Sequence, residues 1–347
     1  MPGGSGVSGL HVARIACRAE PLAELGDRIA SVAWASDGSA LAAGSLSGQV
    51  VISDPTDGAV IELAAHELGA LTVAWSPDRR LASGGQDGIV RIVDRTGEAL
   101  AEHKGSGWCE SLAWAPGGGG CLGAAVGAQV ILWHDGGQLE THDAPSTVAS
   151  VAWSVDGRRL GAAAYGGILW FERGRAAPVS AFEWKGSLLA LSVSPSGKLV
   201  AVGTQEGSVR VHRLWTGDDL EMSGYTGRIT ELAWNSSGDV LSVGDADSVT
   251  SWTFRGRGPA GSRPDVLGGH GGRVLSLACA PSGRGAERII TGCADGRLRL
   301  YSGTDRSAPL AEIDVGAAVA SLAWSPTGDS VAFGDAEGRL WLAEVAP

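Results

Sequence analysis

The chain has 347 residues, of which 44% are hydrophobic, and a formal net charge of −11 at pH 7. This acidic balance argues against general nucleic-acid binding, which needs a basic surface, and no apolar run is long enough to cross a bilayer. Five cysteines without paired spacing argue against a disulfide framework and favour a reducing compartment, so we expect a cytoplasmic protein. Abundant Ala and an excess of Arg over Lys hint at a GC-rich bacterial genome.

The N-terminal segment divides into a polar tail and a short apolar run. Residues 1–8 are rich in Gly and Ser and predict a disordered tail. A basic start followed by an apolar stretch is missing, so we do not expect a secretory signal. Residues 10–17, LHVARIAC, form an apolar run with no turn of its own kind.

A repeating unit begins after this run, and residues 70–94 show it best. Three short apolar runs, at 70–75, 81–83 and 89–93, are separated by SPDR and QDG, which are rich in turn-forming residues. Short runs divided by such turns predict the strands of an antiparallel meander. One small sheet of this kind cannot bury both of its faces, so it must stack on copies of itself.

The copies recur at intervals of 39 to 45 residues, counted between the residues that end each first strand. We refer to these residues as anchors. They are Trp34, Trp75, Trp114, Trp153, Val193, Trp234, Cys279 and Trp324. A period near forty residues with four strands per unit is typical of propeller blades.

The segment 269–301 resembles the WD-repeat β-propeller family, because it carries a Gly-His dipeptide at its start and an Asp in its last turn. In that family a hydrogen-bonded core joins the His to a Ser or Thr, the Asp and a Trp. The resemblance places this core at His270, Thr291 and Asp295, with Tyr301 at the Trp position, and a second core at His66, Ser83 and Asp87. The repeats are degenerate, since most lack the His and none has a Trp-Asp pair.

The anchors predict an all-β fold, a single eight-bladed β-propeller over residues 9–347 with four antiparallel strands in each blade. The chain ends at 339–347 with what looks like a third strand without a fourth. We therefore predict that 10–17 supplies the outer strand of the last blade and closes the ring.

Two long loops carry a cluster of arginines. By the family's topology both loops lie on the wider face, in neighbouring blades. The arginines are Arg255, Arg257, Arg263, Arg284 and Arg288. A solvated surface is the simpler interpretation, and contact with nucleic acid is the alternative.

The sequence shows no pattern of a catalytic or metal site, whether a nucleophile elbow, His-Glu-x-x-His, a phosphate-binding loop or paired cysteines. We therefore predict a protein that is not an enzyme and has no cofactor or metal. His66 and His270 are interpreted as buried hydrogen-bonding residues rather than ligands. Cys109, Cys121, Cys279 and Cys293 are interpreted as small core residues, and Cys293 as one whose turn faces the central channel.

The position three residues before each anchor should line the central channel. Its occupants are Ser31, Thr72, Ser111, Ser150, Ala190, Glu231, Ser276 and Ser321. Small side chains are needed there because the innermost strands crowd the axis. Glu231 is the sole charge of this ring. The alternative function is therefore an enzyme, or a propeller that binds a small ligand or metal ion, at the channel mouth beside Glu231 and Asp245.

The position six residues before each anchor should point to the narrow face, and its arginines and an aromatic residue suggest a partner site. The residues predicted to bind a protein partner are Arg28, Trp108, Tyr165, Arg228, Asp245, Arg273 and Asp335. Trp and Arg are enriched at binding hot spots, whereas pairing of the arginines with the aspartates is the simpler interpretation. The sequence thus predicts a protein-interaction scaffold, a monomer or weak oligomer, that uses its narrow face.

Overall fold

The computed structural model contains antiparallel sheets joined by short turns. The residues that it describes are 15–18, 20–63, 66–117, 120–134, 137, 139–256, 258–283, 287–302 and 307–346. Their strands form seven sheets, and we refer to each sheet as a blade. None of the described residues forms a helix with the length and apolarity of a membrane span.

The first three complete blades are four-stranded meanders whose strands follow the apolar runs of the sequence. One consists of β3 (Ile29–Trp34), β4 (Leu41–Ser45), β5 (Val50–Ser53) and β6 (Val60–Leu63). The next consists of β7 (Ala70–Trp75), β8 (Leu81–Gly85), β9 (Ile89–Val93) and β10 (Ala99–Lys104). The third consists of β11 (Cys109–Trp114), β12 (Leu122–Val126), β13 (Gln129–Trp133) and β14 (Leu139–Asp143).

The fourth blade in chain order has six strands. They are β15 (Val148–Trp153), β16 (Arg159–Glu172), β17 (Ser180–Val193), β18 (Leu199–Thr204), β19 (Ser208–Arg213) and β20 (Asp219–Ser223). Its two long strands, β16 and β17, have 14 residues each. The prediction of eight blades is therefore wrong: the structure has seven, because the segments predicted as the fourth and fifth blades share one continuous sheet.

Glycine explains this continuity. In the other blades a turn separates the second strand from the third, but here Gly166 and Gly167 have φ values of 92° and 147° and carry β16 through the bend. Glycine tolerates such values because it has no Cβ. Tyr165 consequently pairs with Ser187, and this pair joins the two halves of the sheet.

The last three blades return to the four-stranded pattern. Two of them consist of β21 (Glu231–Trp234), β22 (Val240–Gly244), β23 (Val249–Thr253) and β24 (Asp265–Leu267), and of β25 (Val274–Cys279), β26 (Ile289–Cys293), β27 (Arg297–Tyr301) and β28 (Ala311–Asp314). The final blade holds β29 (Val319–Trp324), β30 (Ser330–Asp335) and β31 (Arg339–Val345), with β1 (Ile15–Cys17) and β2 (Ala23–Glu24) paired to β31.

The N-terminal segment lies where the sequence predicts it, beside the last blade. Ile15 pairs with Val345 and Cys17 with Ala343, so β1 is the outer strand of that blade. Residues 1–8 and 10–14 lie outside the described residues.

The blades form a closed ring through their innermost strands. These strands contact one another in the order β3, β7, β11, β15, β17, β21, β25 and β29, and β29 contacts β3. The six-stranded blade thus contributes two inner strands, β15 and the second half of β17.

The core lies between adjacent blades. The second strand of most blades is buried along its whole length and rich in small residues, as in LAAGS of β4 and LGAAV of β12. Small residues let the sheets approach face to face. At the closing boundary, a Cβ on Gly334 would lie 2.3 Å from Ile29 Cγ2, so only glycine permits this contact.

Candidate functional site

A recurring hydrogen bond defines one face of the ring. The residue six before an anchor accepts, through its carbonyl, from the turn between the second and third strands of its own blade. Leu46 N–H donates to Arg28 O at 2.9 Å, Gly127 N–H to Trp108 O at 2.9 Å, and Ala294 N–H to Arg273 O at 2.8 Å. The turns between the second and third strands and the loops that precede the inner strands therefore lie on the same face, which we call the narrow face. The opposite face, which carries the turns after the inner strands, is the wide face.

Exposed apolar side chains form an arc on the narrow face. Trp108 is 52% exposed and Tyr165 57% exposed, as a partner site would require. Two residues that sequence reasoning missed belong to the same arc, Leu68 at 55% and Leu46 at 37% exposure. The signal for both was available, since a leucine inside a short turn cannot be buried by its own blade. We call these four residues the apolar arc.

Backbone contacts show that the loops and turns that carry the apolar arc lie next to one another in neighbouring blades. His66 N–H donates to Gly48 O at 3.2 Å, which joins the turns that carry Leu46 and Leu68. Gly105 N–H donates to Gly88 O at 2.9 Å and brings the next turn beside Trp108.

The same kind of contact extends the apolar arc from Trp108 to Tyr165. Val148 N–H donates to Gly127 O at 2.8 Å, and Tyr165 N–H donates to Ser146 Oγ at 2.9 Å. Tyr165 also borders a groove of about 560 Å³ that Trp184 and Lys185 help to line.

Arginines occupy the rest of the narrow face. Arg273 Nη2 lies 3.5 Å from the carbonyl oxygen of Arg228, so these two residues are neighbours. Arg228 is exposed, and Arg28 and Arg273 are partly exposed. Within the part of the chain that the structure describes, none of the three arginines forms an ion pair. Their guanidinium groups therefore remain available to a partner.

The two aspartates assigned to the partner site are engaged inside their own blades instead. Asp245, which is 7% exposed, accepts hydrogen bonds from Thr226 N–H at 3.0 Å and Gly227 N–H at 3.2 Å. Asp335 has no exposed surface and accepts from Arg339 Nε at 2.7 Å and Trp341 Nε1 at 2.9 Å. Neither carboxylate can meet a partner, so the site that the sequence predicts loses both.

Hydroxyl groups of the channel ring join neighbouring blades. Ser31 Oγ accepts from Val73 N–H at 3.2 Å, and Ser111 Oγ accepts from Val151 N–H at 3.1 Å. In each case the donor is the inner strand of the next blade. These serines therefore hold the ring together as well as line its axis.

Glu231 is the charged residue of the channel ring, and its side chain is half-buried. Burial raises the pKa of Glu231 to about 7, against the opposing effects of a hydrogen bond with Thr230 and the charge of Arg273. Cys293 differs from its predicted placement, because it is fully buried and its thiol donates to Gly272 O at 3.1 Å. It therefore does not face the channel.

The first structural hydrogen-bond core has the arrangement that the family resemblance implies. His66 Nε2 lies 3.0 Å from Ser83 Oγ, and its Nδ1 lies 3.0 Å from Asp87 Oδ1. Since an ionised carboxylate only accepts hydrogen bonds, Nδ1 donates to Asp87 and Nε2 accepts from Ser83. Burial lowers the pKa of His66, so the ring is neutral at pH 7 and acts as a structural link.

The second core is only partly formed. His270 Nε2 lies 3.0 Å from Thr291 Oγ1, and the Tyr301 hydroxyl donates to Gly268 O at 2.7 Å beside it. Asp295 does not reach His270, because Arg299 donates to it at 2.6 Å and 3.1 Å. The predicted link from the histidine to the aspartate is thus replaced by an arginine–aspartate pair.

The wide-face arginines are largely tied to the protein itself. Arg255 Nε donates to Asp239 at 2.6 Å, and Arg288 Nη1 donates to the carbonyl of Ala346 at 3.1 Å. Arg263 is exposed, and Arg257 and Arg284 lie outside the described residues. Among the described residues, no group of three or more His, Cys, Asp and Glu is placed to hold a metal ion.

The ring of antiparallel blades defines a β-propeller built from sequence repeats. The family model "WD domain, G-beta repeat" matches residues 59–94 and 261–302, and that of the "Anaphase-promoting complex subunit 4 WD40 domain" matches 191–253. These segments of the chain are similar to the repeats of the WD-repeat family.

Two plant proteins are similar to this chain in sequence. The B-type cell cycle switch protein ccs52B of Medicago truncatula and Protein FIZZY-RELATED 3 of Arabidopsis thaliana are each 25% identical over 295 residues. The alignments cover 81% of this chain and 51% and 52% of the relatives, so the chain spans about half of their length. The hint of a bacterial source finds no support in these relatives.

A solved structure shares the fold. Sqt1 from Chaetomium thermophilum, bound to the N-terminus of the ribosomal protein L10, superposes with a TM-score of 0.79 at 18% identity. The superposition covers 94% of this chain and all of that one.

Proposed function

We propose that this protein is a non-catalytic, cytoplasmic interaction scaffold that binds a protein partner on its narrow face. The observation that carries the proposal is the apolar arc, whose four side chains are all exposed on one face. They are Leu46, Leu68, Trp108 and Tyr165. Exposed apolar groups that are contiguous and bordered by polar residues mark interaction sites more often than isolated ones do.

The arginines complete a surface of the kind that binds proteins. Arg228 and Arg273 lie side by side on the same face as Trp108, and they have no carboxylate partner within the described residues. Tryptophan, tyrosine and arginine supply most hot spots in protein interfaces. A partner that covers the apolar arc with its own apolar residues and offers carboxylates to the arginines fits this surface.

Two similarities to known proteins, one in sequence and one in fold, support a binding role. WD-repeat proteins are typically interaction scaffolds, and Sqt1 carries a bound segment of a ribosomal protein. The Medicago relative is named a cell cycle switch protein, which supports a regulatory complex as the setting.

The test begins with capture of the partner from an extract of the native host, followed by identification and purification of that partner. Calorimetry then compares the wild type with Trp108→Ala and with the double variant Arg228→Ala/Arg273→Ala. We expect each to raise Kd about tenfold or more, which is about 1.4 kcal/mol. Melting temperatures should hardly change, because these side chains are exposed.

The matched control is the wide-face double variant Arg255→Ala/Arg263→Ala, which should leave Kd unchanged. If the wide-face variant abolishes binding and the narrow-face variants do not, the assignment of the face is wrong. Salt-dependent binding of RNA by the wild type would instead favour nucleic-acid contact. A small ligand that Glu231→Gln no longer binds would favour a channel site.

A further inference from the structure

A cysteine, a histidine and a glutamate lie in line in the third blade, away from the narrow face. The thiol of Cys121 lies 3.2 Å from His134 Nδ1, and His134 Nε2 lies 3.1 Å from Glu140 Oε1. The two contacts use opposite nitrogens of one imidazole. This order is that of a nucleophile, a base and a group that orients the base.

Strand pairing brings the three residues together. Cys121 immediately precedes β12, His134 immediately follows β13, and Glu140 lies on β14. The register pairs Leu122 with Trp133 and Trp133 with Leu139, so the three positions lie at one end of the blade.

The surroundings hold the imidazole in one orientation. His134 is only 2% exposed, and Glu140 also accepts from Gly174 N–H at 3.0 Å, which fixes its carboxylate. The carboxylate accepts hydrogen bonds only, so His134 carries its proton on Nε2 and its Nδ1 accepts from the Cys121 thiol. Burial, with a smaller effect of the Arg173 charge, lowers the pKa of His134, so its imidazole is neutral at pH 7 and Nδ1 has a lone pair that faces the thiol. The Glu140 carboxylate acts in the opposite direction and stabilises the imidazolium that forms when the thiol proton is transferred.

We propose that Cys121 is a reactive thiol, activated by His134 and oriented through Glu140, that hydrogen peroxide oxidises to a sulfenic acid. The thiolate is the nucleophilic form of cysteine, and a neighbouring base is one of the means by which proteins produce it. The site is a modification site rather than an active site.

The reaction balances with hydrogen peroxide as the sole co-reactant. The Cys121 thiol gives its proton to His134 Nδ1, and the sulfur attacks one peroxide oxygen. An S–O bond forms as the O–O bond breaks, and the departing hydroxide takes the proton from the imidazolium and becomes water. The sulfur loses two electrons and the peroxide gains them.

The other cysteines provide an internal comparison, because the structure gives none of them an imidazole partner among the described residues. Cys17 and Cys279 are more exposed than Cys121, and their thiols face the backbone carbonyls of Leu342 and Ala233, each at 3.7 Å. Burial raises the pKa of the Cys17 thiol. If exposure decided reactivity, Cys17 and Cys279 would react before Cys121.

The experiment treats the reduced full chain with hydrogen peroxide, traps sulfenic acid with dimedone and follows each cysteine by peptide mass spectrometry. We expect Cys121 to react about tenfold or more faster than Cys17 and Cys279. Glu140→Gln, which keeps the shape of the side chain, and His134→Gln should each slow Cys121 about tenfold or more, because general-base assistance is worth at least that much. Both should leave the rate at Cys17 unchanged.

The matched control is His212→Gln. His212 is also buried and also pairs with a carboxylate, with Nδ1 2.6 Å from Asp219 Oδ1, but no cysteine contacts its ring among the described residues. Its loss should leave the rate at Cys121 unchanged. The proposal is overturned if Cys121 reacts no faster than Cys17 and Cys279, or if Glu140→Gln, folded as judged by circular dichroism, leaves its rate unaltered.

Discussion

Val32 and Ser321 are joined across the boundary where the last blade meets the first, with Val32 N–H donating to Ser321 Oγ at 3.1 Å. The indole of Trp34 donates across the same boundary to Ala323 O at 3.1 Å. Serines and tryptophan anchors at the same positions bridge other neighbouring blades. Ring closure thus uses both of the contacts that join the third and fourth blades in chain order, Ser111 to Val151 and Trp153 to Ala113.

We expect Ser321→Ala to weaken the closing joint. Val32 is 8% exposed, so its N–H would lose its acceptor in a place that water reaches poorly. Leaving a buried donor unsatisfied costs about 1–3 kcal/mol. Urea unfolding should therefore show a free energy of unfolding lower by about this amount. Ser36→Ala is the control, because the exposed Ser36 hydroxyl makes only a 3.4 Å contact with Pro77 O, and an equal loss there would refute the role of Ser321.

Removal of the N-terminal strand β1 tests its contribution to the closure of the ring at the last blade. Deletion of residues 1–18 removes β1, whose Ile15 and Cys17 pack against the core of the last blade. It also leaves β31 with an unpaired edge over Ala343–Val345. An exposed edge invites pairing between molecules. We expect a lower melting temperature and oligomers in size-exclusion chromatography.

Deletion of residues 1–8 alone is the control, and it should change neither property. A variant without residues 1–18 that melts like the full chain and stays monomeric would contradict the role assigned to β1.

His270→Ala tests the partly formed hydrogen-bond core. His270 Nε2 contacts the fully buried Thr291 hydroxyl, which would lose its partner. We expect a loss of about 1–3 kcal/mol. The value should lie toward the lower end, because His270 Nδ1 has no partner among the described residues, and the substitution removes this buried nitrogen as well.

His103→Ala provides the comparison for His270, since His103 lies on the outer strand β10 and should contribute little. Urea unfolding measures the free energy of unfolding of both variants and compares each with the wild type. Equal losses would mean that the Thr291 contact is not what His270 supplies.

The sequence predicted the inner strands well, because anchors and turn residues are local signals. The number of blades was wrong because it depends on how strands pair. Residues 162–171 are one residue shorter than the corresponding segments of other repeats. Gly166 and Gly167 adopt positive φ values there, and the strand continues without a separate turn. Periodicity marks where a unit begins but does not show whether two units share a sheet.

The candidate site was predictable only in part. Trp108 and Tyr165 were correctly expected to be exposed, although Tyr165 lies within the long strand β16 rather than in a turn. The sequence places Asp245 and Asp335 in comparable positions, but in the structure both side chains are buried and accept hydrogen bonds from nearby residues of the chain. The Cys121–His134–Glu140 arrangement has no motif, since three different segments supply it and only the register of the sheet aligns them.

Glu231→Gln should stabilise the protein at alkaline pH. Burial raises the pKa of Glu231 to about 7 in the folded chain, whereas an unperturbed glutamate titrates near 4.3. Between these values the folded state holds the proton more tightly than the unfolded state does. Stability from this group is therefore complete below pH 4 and falls as the pH rises through 7. Glutamine cannot ionise, so the variant should lose this dependence.

The gain at pH 8 should be on the order of 1–2 kcal/mol, less than the full pKa difference implies, because the half-buried carboxylate still contacts water. Urea unfolding of the wild type and the variant from pH 5 to pH 8 measures it. Glu62→Gln, on the exposed face of β6, is the control and should leave the pH dependence as it is in the wild type. A wild-type pH dependence that survives in Glu231→Gln would mean that the channel carboxylate is already ionised and well solvated at neutral pH.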